Sequence, residues 1–331
     1  MFLRTFYAGL VSVISLLSFT VNLLAIVILC RGKCGLSKCI TLYLVAMAAS
    51  DLLVGITDPF LRMTIQFHFP YSLLNITPVC ATNDVLVFAS TAVSVWLTVA
   101  FTFDRFVAIC CEKLKTRYCT ERTAAVIIGA VSVLGCLENI PRYFTITPGY
   151  VFNDLPWGCY AKPTFYTSSA WIAYDVTHRV LTPCIPFFLI LLLNVLTVRR
   201  IVAASRVRRG LRDRSNREND KDPEMENRRK SIVLLFSITG TFILLWATQA
   251  VFYIFTSITK TGFDSSPTGY YYITSVTSAF LQLLSSCTNT CIYVVTQSKF
   301  RGELINAVKF PLRAIRAHLQ SEFHTTRKQD I

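Results

Sequence analysis

Charged residues are scarce in this chain: Asp, Glu, Lys and Arg make up 16% of its 331 residues, whereas a soluble domain carries about 25%. A helix that crosses a bilayer needs about 20 consecutive apolar residues. The shortage of charge therefore argues against a soluble protein and predicts that lipid surrounds much of the chain. The long stretches without any Asp, Glu, Lys or Arg are residues 6–30, 85–103, 180–198, 231–259 and 265–298.

Two further apolar stretches are each interrupted by one acid, which is Asp51 in the first and Glu138 in the second. We therefore predict an all-α integral membrane protein, a seven-transmembrane helix bundle, since every backbone amide in lipid needs a partner within its own segment. The expected spans are about residues 6–30, 40–63, 80–110, 122–143, 171–200, 229–257 and 270–296. The expected division is an extracellular N-terminus at 1–5, the transmembrane domain at 6–298, and a cytoplasmic amphipathic helix and tail at 299–331.

Histidine is also rare, and its rarity limits the chemistry that the chain can perform. The four histidines, at positions 68, 178, 318 and 324, show no metal-ligand spacing. No nucleophile lies beside a base in the pattern that covalent catalysis uses. We therefore predict that the protein is not an enzyme and has no cofactor. Residues 265–298 also lack lysine, which excludes a retinal Schiff base in the last span.

The positive charges are unevenly placed along the chain. If the N-terminus lies outside, 27 of the 33 Lys and Arg residues fall in the inner loops, at the inner end of the third span or in the tail. This asymmetry predicts a multi-pass protein of the plasma membrane with an extracellular N-terminus and a cytoplasmic C-terminus. The net charge of +14 then favours membrane lipids or a cytosolic protein as partners, and not nucleic acid.

After the last span, apolar residues recur at helical spacing among bases. Phe300, Leu304, Ile305 and Val308 would share one face, which is typical of a short amphipathic helix on the inner membrane surface. An unstructured basic tail is the alternative. At the start of the chain, the apolar run from Phe6 is too long for a cleavable signal peptide. We expect the first span to be its own insertion signal, with a truncated start as the alternative.

Four polar side chains fall inside the expected spans, where each is costly and therefore suggests a function. Asn22 lies in the first span, Asp51 in the second, and Asn289 and Tyr293 in the last. A bundle could bring them together as one polar network around water or a cation, with a sodium ion near Asp51. The alternative is that each one caps or bridges helices separately.

Cys80 and Cys159 are the two of the twelve cysteines that clearly lie on the outer side. Because that side is oxidising, we predict a disulfide between them, with two free thiols as the alternative. Asn75, in the sequence NIT, is a glycosylation sequon on the same side. The nearby Pro78 and membrane surface leave its use and its non-use as equal alternatives.

The third span begins near Cys80 and ends 25 residues later at Arg105, about 37 Å along a helix. The motifs considered together are Asn22, LVAMAASD ending at Asp51, Cys80, DRF at 104–106, LLW ending at Trp246, and NTCIY at 289–293. In this order they resemble the rhodopsin-like (class A) G-protein-coupled receptors, over about residues 6–315. Within that class, TFDRFVAIC is similar to the orphan receptors numbered 139 and 142.

The resemblance implies a receptor that binds an extracellular small molecule or peptide and activates a heterotrimeric G protein at its cytoplasmic face. In this family the arginine at the end of the third span pairs with its neighbouring acid at rest. It meets the G protein after the inner end of the sixth span moves outward. Arg105 and Asp104 match that motif directly, because an Arg at the edge of the low-dielectric layer needs a partner and can exchange it.

Other residues of the implied switch depart from the family pattern. Asn289 and Tyr293 match its last-span motif, but Thr290 stands where Pro is usual. Phe106 follows the arginine in place of the usual Tyr. Some members carry an acid at the foot of the sixth span to hold the arginine, and here the position is occupied by Arg228. We therefore expect a loosely held resting state with measurable basal signalling.

The ligand pocket is expected in the outer halves of the spans. Val87 stands 18 residues before Arg105, where amine receptors carry Asp, so an amine ligand is not expected. Glu138 and Arg179 could hold the ammonium and carboxylate of an amino acid or peptide, or could pair with each other. The subgroup resemblance implies an aromatic amino acid or a small peptide. The candidate pocket residues are Asn83, Val87, Thr91, Glu138, His178, Arg179, Trp246, Gln249 and Tyr253.

A membrane channel or transporter is the alternative function for a chain of this kind. Transporters often contain paired halves with Gly- or Pro-broken spans. The sequence shows no such pairing, although LTPCIPFF breaks the fifth span once. Proton-coupled flux in vesicles without any G protein would favour this alternative.

Overall fold

The computed structural model describes residues 2–65, 69, 71–212, 223–259, 270–307 and 309. Within these residues lie seven helices that are long and apolar enough to cross a membrane. The predicted seven-helix bundle is therefore confirmed, including the fourth span, whose α-helical part ends at the buried Asn139. The spans are Gly9–Cys30, Lys38–Arg62, Thr77–Cys110, Glu121–Thr145, Ser169–Ala204, Arg229–Thr256 and Val276–Thr296.

Several helices extend beyond the apolar spans that they contain. The first begins at Phe2, so residues 2–5, expected as a separate N-terminal segment, continue the helix of the first span. A further helix over 298–307 follows the last span, as predicted, while Val308 and residues 310–331 lie outside the described part. The α-helices are Phe2–Cys30, Lys38–Gly55, Thr77–Cys110, Glu112–Tyr118, Glu121–Asn139, Pro163–Thr167, Ser169–Arg179, Ile185–Arg212, Pro223–Thr259, Tyr270–Thr296 and 298–307.

Two spans contain a proline and widen locally into a π-helical turn. The second span continues through Ile56–Ile65 around Pro59, and the fifth contains Val180–Cys184 around Pro183. Proline cannot donate a backbone hydrogen bond and crowds the preceding turn, and one extra residue per turn relieves that conflict. The helices therefore continue, but the side chains that follow each turn face a new direction. Short 3₁₀ turns lie at Leu73–Asn75 and Ile140–Thr145.

The bundle has two ends, which we name by residues of the third span. The disulfide end carries Cys80, and the arginine end carries Arg105. At the arginine end, side chains from the first four spans, the sixth and seventh spans and the final helix form one apolar core. Its largest fully buried members are Tyr43, Tyr293, Phe101 and Phe300. The third span lies at the centre of the bundle, and this is why residues on most of its faces are buried.

At the disulfide end, the segment between the fourth and fifth spans folds into two small antiparallel pairs of strands. β1 (Ile146–Thr147) pairs with β4 (Tyr160–Ala161), and β2 (Tyr150–Phe152) pairs with β3 (Leu155–Trp157). The turn between β2 and β3 consists of Asn153 and Asp154, both with positive φ. Asn and Asp tolerate that conformation, which a two-residue hairpin requires. The composition of this segment had not led us to predict strands.

Candidate functional site

Asp104 and Arg105 form a buried ion pair at the arginine end. Arg105 Nε lies 3.0 Å from Asp104 Oδ2, and Nη2 donates to the same oxygen. The two side chains are only 6% and 1% exposed, for Arg and Asp respectively. A charge buried to this degree is strongly destabilising without its partner. The predicted pairing of these two residues is present, and each holds the other in place.

Arg105 also contacts two neighbouring elements. Its Nη1 donates to Ser231 Oγ at 3.3 Å, at the start of the sixth span. Its Cζ lies 6.0 Å from the centre of the Phe101 ring. A neutral hydroxyl therefore links the arginine to the sixth span in this structure. The side chain of Arg228, which the sequence places at the foot of that span, lies outside the described part.

Phe106 and Tyr293, two other residues of the expected switch, each pack against an aromatic ring. Phe106 is half-buried, and its ring lies 6.4 Å from that of Phe103. Tyr293 is 1% exposed and packs edge-to-face on Phe300 of the final helix, at 5.8 Å between ring centres. Its hydroxyl has no hydrogen-bond partner among the described residues.

Asp51 joins three spans in the middle of the bundle. Its Oδ1 accepts from Ser94 Oγ of the third span at 2.5 Å, and its Oδ2 accepts from Asn289 Nδ2 of the seventh at 2.8 Å. Asn22 reaches the same region by a different route, since its Nδ2 donates to the backbone oxygen of Ser286 at 2.8 Å. The expected network thus joins Asp51 and Asn289 directly, while Asn22 only touches the backbone of the last span.

A small cavity adjoins Asp51 and has room for a water molecule or a small ion. Oxygen-bearing side chains line much of it, together with the indole of Trp246. Trp246 Nε1 donates to Ser285 Oγ at 3.3 Å, and its ring stacks on Phe242 with centres 5.3 Å apart. The lining includes Asp51, Thr91, Ser94, Thr98, Ser285 and Asn289. Thr91 and Trp246, expected in the ligand pocket, therefore lie beside the central polar cavity.

At the disulfide end, Cys80 and Cys159 form the predicted disulfide, with their Cα atoms 6.2 Å apart. The bond ties the hairpin segment to the start of the third span. Thr77 supports the same connection, because its hydroxyl donates to the Gly158 oxygen at 2.8 Å. The Nδ2 atom of Asn75 donates to Phe69 O at 3.2 Å, and its glycosylation stays a prediction.

Glu138 and Arg179 do not pair with each other in this structure. Glu138 Oε1 lies 3.2 Å from His178 Nδ1. Arg179 instead donates through Nε to Asp175 Oδ2, one helical turn earlier, at 2.7 Å. Its guanidinium also lies over the ring of Tyr253 on the sixth span, 4.9 Å from the ring centre. The alternative of a Glu138–Arg179 ion pair was therefore wrong, because each residue has a nearer partner.

The remaining expected pocket residues are buried. Asn83 donates through Nδ2 to Thr57 O of the second span at 2.9 Å, and Val87 is 5% exposed. Gln249 is 6% exposed, and its Oε1 has no hydrogen-bond partner within the described residues. An unsatisfied buried acceptor of this kind needs a donor from water or a ligand. Gln249 lies one turn before Tyr253, on the same face of the sixth span.

A second charged group at the disulfide end had not been predicted. Asp84 of the third span lies between two arginines, 3.5 Å from Arg62 Nη1 and 3.2 Å from Arg142 Nε. Arg62 also contacts Asp58 at 2.5 Å. The guanidinium of Arg142 lies 3.3 Å from the centre of the Phe88 ring. This group, which we call the disulfide-end charge cluster, joins the second, third and fourth spans.

Comparison with known proteins agrees with this architecture. The sequence matches the family described as 7 transmembrane receptor (rhodopsin family) over residues 21–293. Because the match covers most of the chain, the protein belongs to this family, whose members are receptors and not enzymes. The predicted resemblance to class A receptors is confirmed.

Individual relatives are distant. The chain is 24% identical over 306 residues to the B2 bradykinin receptor of Oryctolagus cuniculus, covering 90% of the chain and 78% of the relative. It is 24% identical over 223 residues to the tachykinin-like peptides receptor 86C of Drosophila melanogaster, covering 64% and 41%. It is 28% identical over 218 residues to the probable G-protein coupled receptor 142 of Mus musculus, covering 63% and 50%. The chain thus spans half or less of the last two relatives.

Proposed function

We propose that this chain is a plasma-membrane receptor that activates a heterotrimeric G protein at its arginine end. The observation that carries the proposal is the buried Arg105, which pairs with Asp104 on its own helix and reaches Ser231 on the sixth span. Outward movement of the sixth span would remove the serine and expose the guanidinium to a partner. Such an exchange of partners is a two-state switch, and membership of the receptor family supports it.

The orientation that we propose places the arginine end in the cytoplasm. Of the 33 Lys and Arg residues, 27 belong to that side of the chain, as the positive-inside rule requires. The disulfide end then faces the oxidising exterior, where a Cys80–Cys159 bond is stable. The basic inner surface suits anionic membrane lipids as well as the G protein.

We place the ligand site between the fifth and sixth spans at the disulfide end. Arg179 offers a guanidinium that leans on the Tyr253 ring, and Asp175 offers a carboxylate. Gln249 offers the unsatisfied oxygen Oε1. A ligand carboxylate could replace Asp175 on Arg179, and Asp175 would then be free to accept an ammonium or N–H group. Planar guanidinium groups bind carboxylates in this way with high specificity.

The ligand chemistry that fits this arrangement is a free carboxylate next to an N–H or ammonium group. A small peptide with an unamidated C-terminal residue carries both groups, and so does a free amino acid. An aromatic side chain on that residue would find the Tyr253 and Trp246 rings on the same helix. The relatives named for bradykinin and for tachykinin-like peptides support the peptide over the amino acid.

Replacing Arg179 with alanine is expected to raise the half-maximal concentration of a free-acid agonist roughly 30-fold, because losing one partner of a charge pair that the ligand shields from water costs about 2 kcal/mol. The measurement is G-protein activation in cells expressing the chain. The probes are pools of tripeptides with a free C-terminal carboxylate, the same pools amidated, and the twenty free amino acids.

The control variant is Lys162→Ala, which removes a different base from the same end of the bundle and should leave the response unchanged. Surface expression of both variants is measured with an epitope tag. Equal potency of the free-acid pools on the Arg179→Ala variant and the parent chain would overturn this assignment. A response to amidated pools alone would do the same.

We also propose that the cavity beside Asp51 holds a sodium ion. The residues fit a hard cation, because Asp51, Ser94 and Thr91 offer oxygen atoms. A bound sodium ion would supply a positive charge that offsets the buried carboxylate. Asp51 and Ser94 would hold it, which would tie the second and third spans together in the resting state.

Sodium is expected to stabilise the purified receptor, with a rise in Tm of about 3 °C when potassium chloride is replaced by sodium chloride. Asparagine in place of Asp51 should abolish the difference between the two salts, because the site then lacks its charge. The measurement is thermal unfolding in detergent at constant ionic strength. An equal Tm in both salts for the unmodified receptor would contradict the sodium site.

A further inference from the structure

Two cysteine thiols contact Asp104, the acid of the arginine-end ion pair. Cys39, at the start of the second span, donates through Sγ to Asp104 Oδ1 at 3.4 Å. Cys119, in the segment between the third and fourth spans, donates through Sγ to the backbone oxygen of Asp104 at 3.5 Å. The acid is therefore held from two elements outside its own helix.

The geometry of the pair shows why such support matters. Consecutive residues on a helix do not face each other, because the chain turns about 100° per residue. The carboxylate of Asp104 therefore needs a further contact that keeps it turned towards the side chain of Arg105. Both hydrogen bonds from Arg105 to Asp104 end on Oδ2. The other oxygen, Oδ1, faces the second span and accepts a hydrogen bond from Cys39.

The environment keeps both thiols in a form that can donate. Cys39 is 4% exposed. Burial raises the pKa of Cys119 to about 12, and the negative charge of Asp104 contributes to the rise. A thiol with a raised pKa stays protonated at neutral pH and is a poor nucleophile. Cys119 is therefore a hydrogen-bond donor and not a reactive group, and burial shields the thiol of Cys39 from reagents in water.

We propose that Cys39 is a positioning residue for the Asp104–Arg105 pair, with Cys119 as a weaker support on the backbone of Asp104. The thiol of Cys39 binds Oδ1 of Asp104 and so turns this oxygen towards the second span. Oδ2 of Asp104 is then left for the guanidinium of Arg105, and this pairing favours the resting state. The expected effect of Cys39 on signalling rests on the proposed function. The arrangement of the side chains stands independently of any G protein.

Valine in place of Cys39 keeps the volume and removes the donor, and we expect basal nucleotide exchange on the G protein to rise roughly threefold, as for one lost hydrogen bond. Serine at the same position should restore exchange to near the parent level, because its hydroxyl also donates. The matched control is Cys136→Val, which changes an exposed thiol on the fourth span. This control variant should leave basal nucleotide exchange at the level of the parent chain. Cys119→Val should have a smaller effect than Cys39→Val.

The decisive arm is a double-mutant cycle with Asp104→Asn. If Cys39 acts through the carboxylate, Cys39→Val should add little in the Asp104→Asn background, both in exchange and in the Tm of the purified receptor. A full additive effect in both measurements, or no effect of Cys39→Val in either, would overturn the proposal. If no variant drives exchange at all, the proposed coupling to a G protein fails, and the Tm cycle alone decides the role of Cys39.

Discussion

The Asp84→Asn variant is expected to lose about 3 kcal/mol of folding free energy, because removing the carboxylate leaves the charge of the partly buried Arg142 uncompensated. Asp84 is the carboxylate that Arg62 and Arg142 share, at 3.5 Å and 3.2 Å. Without it, Arg62 keeps Asp58, whereas Arg142 has no other carboxylate within salt-bridge distance among the described residues and keeps its contact with the Phe88 ring. The fourth span would then carry a partly buried guanidinium whose charge no carboxylate offsets, and the link from the third span to the second and fourth spans would be lost.

This loss is measured as the Tm of the purified receptor and as the fraction of the chain that reaches the cell surface. Glu121→Gln is the matched control, because it neutralises an acid whose partner Lys38 lies at the surface, with side chains 58% and 84% exposed. Exposed ion pairs contribute little to stability, so the control should behave like the parent chain. A Tm for Asp84→Asn equal to that of the control would show that the cluster is not needed for folding.

Neutralising Arg105 with glutamine is expected to reduce basal and ligand-driven nucleotide exchange to the level of membranes that lack the receptor. Glutamine keeps part of the side-chain length and hydrogen bonding but has no charge to offer a partner. It also leaves Asp104 buried without a counter-charge, so the variant should be less stable by about 3 kcal/mol. The exchange assay is therefore normalised to the amount of folded receptor.

Lys38→Gln is the control for this experiment, because Lys38 is an exposed base at the same end and its side chain is 84% exposed. Its loss should leave exchange unchanged. The sequence also predicts basal signalling, and the neutral Ser231 contact on the sixth span is in keeping with a loosely held arginine. Exchange by the parent chain at the level of empty membranes would contradict that prediction.

The bundle could be predicted from the sequence because lipid leaves few alternatives. Apolar runs of about 20 residues form helices where no water is available to the backbone, because a strand crosses the bilayer in about 10 residues. Even the fourth span, interrupted by Glu138, followed this rule. The disulfide between Cys80 and Cys159 could be predicted because one side of the membrane is oxidising. The first inference depends on the lipid around the chain and the second on the oxidising compartment, and neither depends on how the side chains pack.

The side-chain partners were harder to predict, because they depend on distances between spans. Nothing in the sequence indicates that Asp84 faces both Arg62 and Arg142. The π-helical turn around Pro59 sets the direction of Arg62, and its effect on side chains cannot be read from the residue order. Cys39 carries no sequence signal at all, since a thiol near the end of a span is more often a small packing residue.

Two of the ion pairs do have a signal in the sequence. Asp58 and Arg62 are four residues apart on one helix, and so are Asp175 and Arg179. Opposite charges at this spacing meet on a helix surface. The spacing alone therefore assigns Arg179 to Asp175 and not to Glu138.

The central claim is that Arg105 exchanges Asp104 for a G protein. The most direct measurement compares nucleotide exchange driven by Asp104→Asn with that driven by the double variant Asp104→Asn/Arg105→Gln, at matched amounts of folded receptor. Releasing the arginine from its acid should raise exchange above the parent level, and removing the arginine from that background should return exchange to the level of empty membranes. Equal exchange by the single and double variants would contradict the account.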